Sequence, residues 1–259
     1  MSIAEKIGGV LRVVSNNSYH RVTAIIVAAG SGSRMGGEVT KQFMTLNGKP
    51  VIINTLLAFE KSEYIDEIVI VARVDETEKY PPLLEKYGIK KVSSVVKGGD
   101  SRQASVALGM EAVSPKSDFV AIHDGARPLI TEGQIKSVVL AAYKFKAASA
   151  ASMSKDSPKI VSQHNFIEKS IERDKLWLMQ TPQIFYADLY RAALYHAYEK
   201  KFEGTDDCAV AEFAGFPVKA VDCGYENIKI TTPVDLKLAE IILAERSLEN
   251  KNKEDCKND

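Results

Sequence analysis

The chain has 259 residues, 45% hydrophobic and 26% charged, with Lys+Arg and Asp+Glu balanced at 34 each. That length suits one open α/β domain carrying a single inserted lobe, and that composition belongs to a globule with a sizeable core. The balance excludes a global positive field for nucleic acid, and no stretch approaches the roughly 18 consecutive apolar residues of a membrane span.

Residues 1–21 carry Glu5, Lys6 and Arg12 among apolar positions, which interrupts any secretory signal, and they read as a loosely ordered or partly helical extension. From Val22 onward, apolar runs of strand length alternate with amphipathic segments of helix length: TAIIVAA, VIINTLLAFEKS, DEIVIVAR, ETEKYPPLLEKYG, KVSSVVKG, RQASVALGMEAV, SDFVAIHD and TEGQIKSVVLAAYKFK. Strands apolar on successive residues are buried on both faces, so the pattern predicts a doubly wound, mostly parallel, Rossmann-like α/β sheet. Caps are expected at Thr131, with Gln134 three positions on, and at Thr77.

Between about 150 and 178 the rhythm changes to β-like pieces around a His164–Asn165 turn, which predicts a projecting β-arm. Its apolar Ile160, Phe166 and Ile171 would be poorly buried alone and suit a homodimer through the arm. The α/β pattern returns with YADLYRAALYHAYEKK, TDDCAVAEFAG, PVKAVDCG and a last helix opened by Thr232–Pro233. The domain is thus expected over 22–248, with a charged, disordered tail at 249–259. Cys208, Cys223 and Cys256 are too scattered for a disulfide framework, so Cys208 and Cys223 read as buried free thiols of a cytoplasmic protein.

The opening stretch, VTAIIVAAGSGSRMGGEVTKQF, is a strand that breaks into small residues and then delivers two cations, Arg34 and Lys41. A Walker A loop needs Lys-Ser/Thr after its second glycine, but Glu38 follows Gly36–Gly37, and Gln42 follows Lys41. A dinucleotide fingerprint fails too, with Met35 where the third glycine belongs. What remains is a loop whose backbone N–H groups near Ala29, Gly30 and Gly32 can cradle phosphate, with an Arg fork and a Lys point charge to neutralise it. The bland alternative is two solvated cations on a turn.

The motifs AAGSGSRMG, KQF, GGDSRQAS, HDGARP, LWLMQTPQ, TDDCAVAE and ENIKITTPVDL, in this order over Val22 to Leu243, resemble the 2-C-methyl-D-erythritol 4-phosphate cytidylyltransferase family. The resemblance implies that CTP and a small polyol phosphate meet in one site, and that the acceptor's phosphate attacks the α-phosphorus in line with pyrophosphate leaving. It assigns Arg34 and Lys41 to transition-state charge. Ala28, Ala29, Gly99, Asp100, Ser105 and Gly125 fall to the cytidine site, and Arg173 and Lys229 to holding the acceptor phosphate. Thr205 and Thr181 match acceptor contacts, and Ser157 stands where the family has threonine, followed here by Pro158. Asp124 is the expected ligand of Mg²⁺ or another divalent cation.

Plainer readings stand beside these. Asp100 and Thr205 could be helix caps, Asp124 could pair with Arg127, and Arg102 could simply fix its loop. Two other functions compete: ribitol 5-phosphate cytidylyltransferase, whose motifs tend to read AGGTGTRMG and HDAVRP, and a non-catalytic nucleotide-binding protein of the same fold.

Overall fold

The computed structural model describes residues 19–30 and 40–258, with 250–258 as backbone only. The expectations for most of the N-terminal extension and for Gly32 and Arg34 lie outside the described residues.

Strand β1 (Val22–Ala28) lies beside the middle strand of a seven-stranded sheet. It pairs in parallel with β4 (Glu67–Ala72) on one side and β6 (Phe119–Asp124) on the other. β5 (Val92–Lys97) extends the first side in parallel. On the second side β10 (Trp177–Tyr186) runs antiparallel to both β6 and β7 (Ala147–Met153), and β11 (Lys219–Asp222) closes the sheet parallel to β7. The sheet is therefore mostly parallel, as the unbroken apolar runs predict. The chain builds outward from β1 to β4 and β5, then returns to place β6 on β1's other edge. That reversal opens a crevice beyond the C-terminal ends of β1 and β6.

Both faces are covered. Ala24, Ile26 and Ala28 of β1 join one core cluster with Ile52, Leu56 and Phe59 of α1 (Val51–Lys61) and Ile135, Val138 and Val139 of α4 (Glu132–Phe145). Ile25, pointing the other way by the period of two along a strand, joins Val106 and Met110 of α3 (Arg102–Glu111). Tyr190 and Ala193 of α5 (Ala187–Glu199) and Val210 of α6 (Asp207–Phe213) complete that second cluster. Each fully buried Ile or Phe contributes about 1.5–3 kcal/mol relative to exposure, so the strand that carries the loop is firmly held on both faces.

Local signals hold at Thr131, whose capping box with Gln134 has both bonds. They fail at Thr77. The segment Val74–Lys79 is a 3₁₀ turn, and α2 (Tyr80–Tyr87) starts only where Pro81 and Pro82 fit its first turn, since proline lacks the N–H that only the first turn can do without. The cap of α3 is Ser101 rather than Asp100, and that of α6 is Asp206 rather than Thr205. In both cases the side chain one residue closer to the helix accepts the N3 backbone N–H.

The arm is narrower than the change of rhythm suggests. Ala147 to Ser152 is buried sheet of small residues, flanked by β10 and β11. Only β8 (Lys159–Val161) and β9 (Ile167–Ser170) form a separate hairpin, with Asn165 at φ 64° in its turn. Short strands β2 (Thr45–Leu46) and β3 (Lys49–Pro50) form a small ribbon after the opening loop. Helix α7 (Pro233–Asn258) begins at Pro233 as expected but stays helical through the tail read as disordered. That tail contains no glycine or proline to stop it. Cys208 and Cys223 are buried free thiols.

Candidate active site

A cavity of about 460 Å³ opens at the crevice and is lined by the end of β1 (Ala29, Gly30), Lys41 and Gln42, the turn after β5 (Gly99, Asp100, Ser101), Arg102, Ser105, Asp124 and Lys229. Lys41 reaches it through a 3₁₀ turn, Lys41–Phe43, docked at several points. Gln42 is buried and its Nε2 donates to the carbonyls of Ala28 at 2.9 Å and Gly30 at 3.4 Å. Thr40 Oγ1 donates to the buried Glu76 at 2.5 Å, and Phe43 packs edge-on against Tyr80.

Opposite lies the GGDS turn. A Cβ at Gly98 would meet the Ala29 Cβ at 2.3 Å, and one at Gly99 would meet the Ala104 Cβ at 2.8 Å. The turn therefore packs bare backbone against the end of β1 and the start of α3, with Gly99 on the cavity wall. Ser105 Oγ accepts from Gly99 N–H at 3.1 Å and fixes the turn. Ala28 and Gly125 sit behind this wall instead of in it. Ala28 is fully buried, while Gly125 is clasped by Val27 O and Thr55 Oγ1.

A second cavity of about 250 Å³ adjoins the first and is lined by Thr205, Asp206, Thr181, Gln183 and Arg127. Arg102, Asp124 and Lys229 line both cavities. Asp124 is the hub: its Oδ2 lies 2.8 Å from Lys229 Nζ and 3.7 Å from Arg127 Nε, and its Oδ1 accepts from Arg102 Nε at 3.2 Å. Burial alone would raise this carboxyl, but Arg102, Lys229 and Arg127 hold it well below the usual carboxylate range. The pairing with Arg127 therefore exists, as one of three.

Lys229 is brought here from more than 100 residues away by bonds that pin its flanks. Ile230 N–H donates to Ala126 O at 2.8 Å, and Arg127 Nη1 donates to Asn227 O at 2.8 Å. Asn227 Nδ2 in turn donates to Gln180 Oε1 and Thr181 O. Thr181 is buried, and its hydroxyl accepts from Asp124 N–H at 3.0 Å and lies 3.1 Å from His123 Nδ1. It holds the aspartate's backbone, with its hydroxyl committed beneath the cavity. Burial pushes the His123 imidazole down to about 3, which makes it a neutral structural group.

The structure brings together Ala29, Gly30, Lys41, Gly99, Asp100, Ser105, Asp124, Lys229 and, in the second cavity, Thr205 and Thr181. Ser157 and Arg173 stand exposed on the arm and line neither cavity; Arg173 makes one long bond, 3.5 Å, to Lys155 O. Gln42 and Gly98 were missed by sequence reasoning. Each is an ordinary polar or small residue inside a motif, and only the approach of a distant strand shows its role.

A profile of the 2-C-methyl-D-erythritol 4-phosphate cytidylyltransferase family matches residues 22–245. The chain belongs to this family. A member from Pelotomaculum thermopropionicum is 43% identical over 227 residues, which is 87% of this chain and 95% of that protein. One from Caldanaerobacter subterraneus is 44% identical over 86% of this chain and 98% of that protein. Among solved structures, the 4-diphosphocytidyl-2C-methyl-D-erythritol synthase of Anaerococcus prevotii is 34% identical with a TM-score of 0.78, covering 87% of this chain and 96% of that one.

Among the described residues no cluster of three or more His, Cys, Asp or Glu could hold a metal by itself. Asp124, a single carboxylate at the meeting of two cavities, is the residue that would hold a magnesium ion carried in by substrate phosphates.

Proposed function

We propose that the chain transfers CMP from CTP to 2-C-methyl-D-erythritol 4-phosphate, giving 4-diphosphocytidyl-2-C-methyl-D-erythritol and pyrophosphate. The observation that carries the reading is the pair of adjoining cavities with a shared wall of Arg102, Asp124 and Lys229. Two phosphorylated substrates must meet there, and cations must stand between them.

In this reading the first cavity holds CTP. Close backbone at Gly98 and Gly99 lets main-chain groups read the base edge, where cytosine differs from uracil by its amino group. Lys41 faces the triphosphate, the role to which the resemblance also assigns Arg34; the second cavity holds the acceptor, its phosphate beside Lys229. An acceptor oxygen forms a bond to the α-phosphorus as the bond to the β-phosphate oxygen breaks, and pyrophosphate leaves with the electron pair. No enzyme nucleophile is needed, so the protein's part is orientation and charge neutralisation. Magnesium bound by the phosphates and Asp124 would add charge neutralisation, with the aspartate's ion pairs to Lys229 and Arg102 loosening in exchange.

Arg173 and Ser157 can serve the acceptor only if the arm is seated elsewhere than in its present exposed position, which supports a homodimer formed through the arm. Among the described residues no helix is long and apolar enough to cross a membrane. With two buried free thiols, a cytoplasmic setting suits the chain.

Pyrophosphate release from CTP and Mg²⁺ should require methylerythritol phosphate and fail with UTP, ATP or ribitol 5-phosphate. Equal or faster turnover with ribitol 5-phosphate would reassign the acceptor, and no release with either would remove the enzyme reading. Lys41→Ala and Lys229→Ala should each lower kcat by roughly 10²–10³ with smaller changes in KM for CTP, because their charge acts chiefly in the transition state.

A further inference from the structure

Arg102 is the first residue of α3, where the helix's own positive end disfavours a cation. It is nevertheless held there by two carboxylates. Nε donates to Asp124 at 3.2 Å and Nη2 donates to Asp207 Oδ2 at 2.8 Å. Asp124 meets only one nitrogen of the half-buried guanidinium, and it is also claimed by Lys229 and Arg127. Asp207 is different. It lines neither cavity and is 1% exposed, and its second oxygen accepts from Tyr190 Oη at 2.6 Å. Tyr190 is itself fully buried and stacked on Phe185, with centroids 4.6 Å apart, so its hydroxyl has one direction to point. Burial keeps that phenol protonated, hence a donor, far above neutral pH.

We infer that Asp207, braced by Tyr190, is a positioning residue for the transfer: it holds Arg102 on the wall between the two cavities while incoming phosphate draws Asp124's cationic partners away from it. Without Asp207, Arg102 would follow Asp124 or swing toward solvent when that occurs. With it, the guanidinium keeps N–H donors beyond its two carboxylate bonds for phosphate oxygens on either side. A buried carboxylate that faces no substrate thus sets the geometry of a guanidinium that does.

The inference rests on the transfer reaction proposed above. Full-length wild type, Tyr190→Phe, Asp207→Asn and Arg102→Ala are compared by pyrophosphate release at varied CTP and acceptor. Tyr190→Phe, which removes only the hydroxyl, should lower kcat about three- to tenfold, and Asp207→Asn roughly 30-fold or more, with KM for CTP within about twofold. Added guanidinium ion should restore part of the activity of Arg102→Ala, and far less when Asp207→Asn or Tyr190→Phe is also present. Wild-type kcat in both Tyr190→Phe and Asp207→Asn, or guanidinium rescue indifferent to the second substitution, reduces the pair to packing and overturns the inference. If Asp207→Asn does not fold, Tyr190→Phe and the rescue comparison in its background decide the matter. An inactive wild type refutes the reaction itself, whereas an active wild type with unaffected Tyr190→Phe and Asp207→Asn variants refutes the positioning role alone.

Discussion

His123 Nε2 donates to Arg127 O at 3.1 Å, Thr181 Oγ1 donates to His123 Nδ1, and that same hydroxyl accepts from Asp124 N–H. Only the neutral Nε2–H tautomer fits this chain of bonds. Burial pushes the imidazole down to about 3 from an ordinary 6.5. A group whose folded value is depressed stabilises the fold fully above its unfolded value, and that stability is lost as pH falls through the window between the two. Wild type should therefore lose roughly 3 kcal/mol from this group between pH 7 and pH 4. Urea midpoints across that range check it: His123→Gln, less stable at pH 7, should show a much shallower slope, and parallel slopes would contradict the assignment. Asp124 adds little slope there, because its depressed carboxyl gives up its stabilisation only as pH falls below 3.8.

The loop-bearing strand and the GGDS turn meet at Gly98, whose backbone N–H donates to Ala72 O at 2.8 Å while its Cα faces Ala29. Gly98→Ala would place a Cβ 2.3 Å from the Ala29 Cβ, and neither atom can rotate away. The turn must shift, at a cost of about 1–3 kcal/mol. Because the turn is also the cavity wall, nucleotide affinity should fall with stability, which calorimetric titration with CTP beside a melting curve would read. A lower Tm with unchanged affinity would separate wall from cavity. Gln42 works at the same level: one side chain bonding two carbonyls joins the turn bearing Lys41 to β1. The KQF motif advertises its lysine, but its glutamine does the docking.

The arm leaves Phe166 74% and Ile167 68% exposed on a two-stranded hairpin, a form that is marginal in water when isolated. A second copy is the proposed cover. Sedimentation of wild type should give a dimer, and Phe166→Glu with Ile167→Glu should give monomers that keep a native far-ultraviolet spectrum. Dimers that survive the double substitution would move the interface off the arm. The same exposure explains the position of Ser157 and Arg173, which one chain leaves outside both of its cavities.

Periodicity and punctuation were enough for the parallel α/β sheet, the arm and the capping box at Thr131, because these depend on the local spacing of apolar residues and on side chains within one helical turn. Motif order identified the family, and with it the residues to look for. The pairing of Asp124 with Arg127, three residues on, was legible; its meeting with Arg102 and Lys229 was not, nor were the clasp at Gly98 and the brace from Tyr190 through Asp207. A carboxylate's partners are chosen by whichever elements the sheet order makes neighbours. Residues 102, 124, 207 and 229 become neighbours only once β6 returns beside β1 and the segment after β11 folds back across its end.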